Sequence, residues 1–454
     1  MKTVYAGALV VLVTLSVIAH QLAPRRELGG KLLLTWTSDD NPARRAQIAL
    51  FNREHPSYQL QLDPNNVGME KVIVQSLAGV GPDLFDCYSY AQLTAFVKAG
   101  VAWDVTDLYR RNGMRVEDIW PVVHPNCIYE GRAYGHPTNA ATDALWFNKQ
   151  LFRKYGVPYP RGDWTWDQFI EVARRLTVKD AAGRYACFGF LGNRSEWYPL
   201  IRQFGGRLFA EDGTRCALDS PEAIAGIQLL QDLIYKHQVM ASPNQESAMA
   251  AAGGWGTGTI TLFGAAKGAM AHGGRWWLCL LRDPDYKDLR LGVTEFPHGP
   301  RKVFWGYGRA TLVNKLSPYR RQAFEFIKFE HERPYNELIN EQADALAPVI
   351  QYCSGRKFLF NPQYPKEDFN QQWSDVMGYG EPMESSPFVD GQVVQRIMDI
   401  QMDLVRTNAK TAAEACRDAA RKIDEEIRKA LREDPVLKAR WEKLTGTTTA
   451  GNRQ

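Results

Sequence analysis

Residues 31–63, KLLLTWTSDDNPARRAQIALFNREHPSYQLQLD, pass from an apolar run through a helical pattern into strict alternation. KLLLTWTS reads as a buried strand. Asn41 then stands where a helix N-cap belongs, with Pro42 at the first helical position. In YQLQLD, Tyr58, Leu60 and Leu62 share one face, as a half-buried strand requires. MEKVIVQSLAGV (69–80) has helical spacing, and DLFDCY (83–88) is the next strand. Strand, helix, strand, helix, strand predicts a parallel sheet with helices on both faces. Ligands of such sheets sit outside the carboxyl ends of the strands, where helix N-termini point free N–H groups. That rule selects Ser38, Asp39 and Asp40 after the first strand, and Asp86, Tyr88 and Tyr90 at the end of the third. For Asp39 and Asp40, turn and capping chemistry is the competing role.

The chain has 454 residues, 45% hydrophobic and 23% charged, too many for one core and enough for two lobes. Its formal charge of +4 is spread along the chain, so no nucleic-acid partner is expected. At the N-terminus, Met1 and Lys2 precede the uncharged run VYAGALVVLVTLSVIA (4–19), which reads as an export signal. It falls short of the roughly 20 residues that span a bilayer. Residues 1–24 are therefore expected to be a signal peptide, cleaved after Ala19, or an uncleaved anchor, and the chain to be periplasmic or extracytoplasmic. The seven cysteines (Cys87, Cys127, Cys187, Cys216, Cys279, Cys353 and Cys416) are dispersed and odd in number. They form no disulfide framework, and leave room for one or two bridges and at least one buried free thiol. There is no Cys-x-x-Cys and no His-Glu-x-x-His, so no metal and no cofactor is expected.

Further on, YEGRAYGHPTNAATDALWFN (129–148) suggests a strand, a polar interruption at 138–142 and a second strand. Thr165 and Gln168 fit a capping box, followed by Phe169, Val172, Ala173 and Leu176 on one face. Ser220-Pro221 and Ser317-Pro318 each place a cap before Pro, and Thr411 with Glu414 opens a last helix with Cys416, Ala420, Ile423, Ile427 and Leu431 as its stripe.

Taken in order, the segments at 81–108, 134–157, 204–234, GAMAHGGRWW (268–277), 290–299, FWGYGRATLVNKLSPYRRQAFEFIKF (304–329) and TAAEACRDAARKIDEEI (411–427) resemble the extracellular sugar-binding proteins of ATP-driven importers, the family that includes maltose-binding protein. The resemblance implies an α/β fold of the two-lobed periplasmic-binding-protein type II, each lobe a mainly parallel sheet flanked by helices. It assigns 31–137 and 307–346 to the N-terminal lobe and 141–303 and 350–454 to the C-terminal lobe, with crossings near 138–140, 304–306 and 347–349. It also implies a monomer without catalysis that closes on a small-molecule ligand, a carbohydrate, and delivers it to a membrane permease. Two features depart from the family. No Cys follows the export segment, so a lipid anchor is not expected, and Cys87 stands where the maltose-binding type has a tryptophan, leaving that role to Tyr88 or Tyr90.

A sugar presents an apolar C–H face and a rim of hydroxyls, and so calls for flat aromatics and bidentate polar groups. The aromatic candidates are Trp197 and Tyr198 after GNRSE, Trp276 after Gly273 and Gly274, and Trp305 with Tyr307 in FWGYG. With 13 tryptophans in the chain, a core role competes for each, and Trp277 is expected to take it. Gly274 would let backbone approach the ligand. The polar candidates are Ser38, Asp40, Asn139, Thr142 and Glu196, with Arg275 reading the ligand or pairing within the protein. An enzyme alternative would pair Asp40 with Glu196 as glycosidase carboxylates about 5–10 Å apart. Glycerol phosphate and polyamines are the non-sugar ligand alternatives, the latter through Asp39, Asp40, Asp86 and Glu196.

Overall fold

The structure, a computed structural model, describes residues 27–63, 68–192, 194–251 and 258–446. The expected export segment at 1–24 lies outside the described residues, among which no helix is long and apolar enough to cross a membrane.

β1 (Lys31–Thr37), α1 (Pro42–Glu54), β2 (Tyr58–Asp63), α2 (Met69–Leu77), β3 (Leu84–Cys87) and α3 (Tyr90–Lys98) follow in the expected order. The Asn41 side chain caps α1 by accepting the Arg44 N–H at 2.9 Å. β1 pairs in parallel with both β2 and β3. Alternate residues of β3 feed opposite faces: Leu84 joins Leu34, Trp36, Phe51 and Phe326, while Phe85 joins Val72, Leu93 and Phe96. β4 (Gly135–Thr142) runs straight through the expected polar interruption. Thr138 is held there because its hydroxyl donates to the Arg309 carbonyl at 2.9 Å, a long-range partner that the local sequence does not show. Asp143 alone separates β4 from β5 (Ala144–Asn148), which belongs to a second sheet.

That sheet is built with α4 (Trp166–Leu176), β6 (Tyr185–Leu191), α5 (Trp197–Gln203), α6 (Pro221–Tyr235), β7 (Gly268–Gly273) and β8 (Leu291–Thr294). Thr165 and Gln168 form the capping box of α4, and Ser220 caps α6. The strand order is β8-β5-β7-β6 followed by the short edge strand Val178–Lys179, with β5 antiparallel to both neighbours and only β6 and β7 parallel.

β9 (Phe304–Val313) returns the chain to the first sheet, antiparallel to β3 and to β4. Both sheets are therefore mixed, because strands that cross between lobes enter against the parallel set. Then come α7 (Arg320–His331), α8 (Arg333–Gln342), α9 (Gly391–Arg406) and α10 (Ala412–Glu433). Helix α7 begins at Arg320, just after Ser317-Pro318; the Ser317 hydroxyl accepts the Tyr319 N–H at 2.9 Å and donates to Asp83 at 2.6 Å. Thr411 and Glu414 form the capping box of α10, whose Cys416, Ile423 and Ile427 are buried with Val394 and Met402 of α9 in the second lobe's core. Beyond α8, Leu346 exchanges two backbone hydrogen bonds with Ala140 of β4, at 2.9 and 3.0 Å. Two α/β lobes thus share a hinge at β4, β9 and the segment after α8. All seven cysteines are free and only Cys279 is exposed, so the structure contains none of the bridges the sequence left room for.

Candidate ligand-binding site

At the end of β7, alternation sends His272 to the face that meets Phe296, with ring centroids 4.2 Å apart. Its Nδ1 lies 2.6 Å from Glu196 and its Nε2 lies 3.3 Å from Asp143, the hinge residue between β4 and β5. Burial disfavours a charged imidazole, but the two carboxylates outweigh it and raise His272 to about 9. The ring is therefore an imidazolium at neutral pH, shared by two acids. Asp143 also accepts the Tyr307 hydroxyl at 2.6 Å, and Tyr307 in turn accepts the Trp276 Nε1–H at 3.0 Å.

This chain of bonds borders a cavity of about 420 Å³ lined by Trp276, Trp305, Tyr307, Asp143 and His272, which the largely buried Trp277 also reaches. Two glycines make it possible by close approach. A Cβ on Gly274 would stand 2.4 Å from the Tyr307 hydroxyl, and one on Gly273 would stand 2.3 Å from the Trp277 ring. Trp276 is 36% exposed and Trp277 is 3% exposed, which divides the pair into a cavity wall and a core residue.

The facing lobe contributes a different cluster. At the carboxyl ends of β1 and β3, the buried Arg309 guanidinium of β9 lies 2.9 Å from Asp39, 3.4 Å from Asp86 and 3.3 Å from the Ser38 hydroxyl. Ser38 donates to Asp86 at 2.5 Å, Trp36 Nε1 donates to it at 2.9 Å, and the Tyr88 hydroxyl reaches it at 3.2 Å. Arg44 and Arg309 lie over the Trp36 ring, 5.8 and 5.5 Å from its centre. Burial pushes the Asp86 carboxyl up against the pull of Arg309 and Arg44. Asp39 is partly open to solvent; burial raises it too, yet Arg309 and Arg44 hold it below the usual carboxylate range.

Several expected residues gather here and others do not. Ser38, Asp39, Asp86 and Tyr88 surround Arg309, and Asn139 accepts the Arg309 backbone N–H at 3.0 Å. Gly274, Trp276, Trp305 and Tyr307 form the aromatic side, with Glu196 beneath it. The remaining candidates make other contacts. Asp40 spends both oxygens on Arg45 at 2.7 and 2.8 Å, on the outer surface. Tyr90 opens α3 and packs on Tyr129, 5.8 Å between rings. Thr142 is buried with its hydroxyl on the Met377 sulfur at 3.0 Å. Trp197 and Tyr198, each 1% exposed, are core residues of α5, and the Tyr198 hydroxyl donates to the Pro382 carbonyl at 2.8 Å. Arg275 is buried and donates to the carbonyls of Ala345 and Asn340 at 2.7 and 2.9 Å. Sequence reasoning missed Asp143, His272 and Arg309. All three lie inside the stretches that carried the resemblance, and a charged side chain in or beside an otherwise apolar strand was the available signal.

Residues 36–329 match the family described as bacterial extracellular solute-binding protein. A putative binding protein of Brucella abortus is 24% identical over 307 residues, 66% of this chain and 70% of that protein. An ABC substrate-binding protein of Listeria monocytogenes, solved in complex with cycloalternan, superposes with a TM-score of 0.72 at 22% identity, covering 87% of this chain and 97% of that one. UgpB of Mycobacterium tuberculosis, solved in complex with glycerophosphocholine, gives a TM-score of 0.71 at 17% identity, covering 87% of this chain and 98% of that one. With two α/β lobes on a common hinge and a family match that spans both, the chain belongs to the bacterial extracellular solute-binding proteins.

Proposed function

We propose that this protein is the extracytoplasmic binding component of an ATP-driven carbohydrate importer, which takes a neutral sugar or oligosaccharide between its lobes and delivers it to a membrane permease. The observation that carries this reading is the cavity under Trp276. Its rings offer flat apolar faces, as C–H rich sugar faces require. Its charged groups already serve one another: His272 is engaged by Asp143 and Glu196, and Asp143 by Tyr307 as well. No Lys or Arg lines the cavity among the described residues, which disfavours a phosphate. A polyamine would have to displace His272 from its carboxylates. The relatives in complex with cycloalternan and with glycerophosphocholine mark the two ligand classes to be separated.

Lobe closure follows from the same arrangement, because a ligand shifts the lobes only by binding the closed state better, which needs contacts from both sides. On this reading Asp39 and Tyr88 supply the N-lobe contacts. Thermal-shift measurements with monosaccharides, oligosaccharides, sn-glycerol 3-phosphate, glycerophosphocholine and spermidine test the reading. Stabilisation by a neutral saccharide, without its hydrolysis, is expected. Stabilisation by the phosphodiester or the polyamine alone would replace it with the corresponding transport function, and released sugar would replace it with the glycosidase.

A further inference from the structure

The segment that follows α8 is strained and is gripped from both lobes. Ala343 and Ala345 both adopt left-handed backbone, at φ 61° and 67°, with Asp344 between them. The Ala345 N–H closes a tight turn onto the Ala343 carbonyl at 2.8 Å. Non-glycine residues persist in such conformations only where their surroundings impose them. Here the surroundings are charged. The Asp344 carboxylate takes Arg44 at 2.8 Å and Gln47 at 3.3 Å, and stands 4.0 Å from Arg309. Those two arginines are the ones that hold Asp39 at the cleft edge, at 3.5 and 2.9 Å. From the other lobe, Arg275 binds the carbonyls of Ala345 and Asn340, Arg282 binds that of Glu341 at 2.6 Å, and the Cys279 thiol reaches that of Gln342 at 3.6 Å. The last carbonyls of a helix have no partner within it, so α8 ends in a socket made by the opposite lobe.

We propose that Asp344 is a positioning residue that competes with Asp39 for Arg44 and Arg309, so that whatever engages Asp39 in the cleft tightens the turn at 343–346 and the seat of α8 on the C-terminal lobe. This rests on the reading that Asp39 meets the ligand, but its core, the competition of two carboxylates for two guanidinium groups, exists without any ligand. Removing the Asp39 charge mimics its engagement: Arg44 falls to Asp344, Arg309 is left to Asp86 and Asp344, and the socket closes more firmly. Removing the Asp344 charge does the reverse.

Cys279 reports on the socket directly, because it is the one exposed cysteine of the seven and its thiol lies on α8. The ligand-free protein is treated with N-ethylmaleimide and the rate of Cys279 modification followed by mass spectrometry, with unfolding temperature measured alongside. Asp39→Asn is expected to slow modification at least twofold, Asp344→Asn to speed it at least fivefold, and the double variant to follow Asp344→Asn. An unchanged rate in Asp39→Asn, or a double variant whose effect is the product of the two single effects, would overturn the proposal. Should Asp344→Asn fail to fold, Ala345→Gly removes the left-handed strain without touching a charge; it is expected to slow modification at least twofold, and an unchanged or faster rate would contradict the strained grip. The readout needs no sugar, so failure to find a saccharide ligand and failure of this coupling are separate results.

Discussion

On the N-lobe side of the cleft two guanidinium groups, Arg44 and Arg309, are set among Asp39, Asp86 and Asp344, and the aromatic ring they use, Trp36, is buried beneath them. On the C-lobe side one imidazolium is set between two carboxylates, and the aromatic rings stand above it, lining open space. The same ingredients therefore do opposite work. Where charges lie over the ring, the cluster fixes strand ends and loops to one another; where the ring lies over the charges, it is left free to meet a ligand. The N-lobe cluster should accordingly dominate stability and the C-lobe rings should dominate affinity, and each half of that contrast can be attacked.

The largest expected effect is that of Arg309→Ala, which strands the buried Asp86 without its ion-pair partner. A loss of about 3–5 kcal/mol is expected in chemical unfolding, and a loss below about 1 kcal/mol would mean that the N-lobe cluster does not carry this lobe. Next in size is the pH dependence of His272. Its pKa rises from 6.5 in the unfolded chain to about 9 in the folded one, so its contribution is complete below about pH 6.5 and disappears as pH rises through about 9. A shift of this size corresponds to of order 3 kcal/mol; unfolding temperatures scanned between pH 6 and 10 should show the decline, and His272→Gln should flatten it.

A smaller effect is expected behind the N-lobe cluster, where removing the titrating group should stabilise the protein. Glu330 is fully buried with Thr311 on one oxygen at 2.6 Å, and burial pushes its carboxyl well above the usual range. A carboxyl whose pKa is raised on folding contributes stability at low pH that is lost as pH rises. Glu330→Gln should stabilise the protein at pH 8, by about 1 kcal/mol, and a destabilised variant would show that the ionised form is used. The smallest effect belongs to Asp40→Asn, where an exposed pair with Arg45 is removed. Unfolding temperature and ligand affinity should both stay within error, and a loss of affinity would return Asp40 to the cleft.

Local signals in the sequence were read correctly where the physics is local. Asn41, Thr165, Ser220 and Thr411 cap their helices as their spacing predicts, and the β1–α1–β2–α2–β3 order gives the first lobe. Ser317 also accepts a backbone N–H ahead of α7, that of Tyr319 at 2.9 Å, while its donation to Asp83, 234 positions away, has no signal in the local sequence. The site follows the same division. Trp276, which two glycines precede, is the exposed member of its pair, and Trp277 is buried. The Arg44–Asp344 pair spans 300 positions and the Arg309–Asp39 pair 270, so no spacing rule could join them. Trp197 and Tyr198 were misplaced for a related reason: a loop after a strand looks open in sequence, and only the fold shows that α5 seats both rings in the core.

The central claim is that a neutral carbohydrate rests on Trp276. It is tested most directly by isothermal titration of the wild type and Trp276→Ala with the saccharide that gives the largest thermal shift. The expected result is at least a hundredfold weaker binding in the variant, with an unfolding temperature within 2 to 3 degrees of the wild type, about the shift that 1 kcal/mol would produce. Undiminished saccharide binding by a folded Trp276→Ala would contradict it.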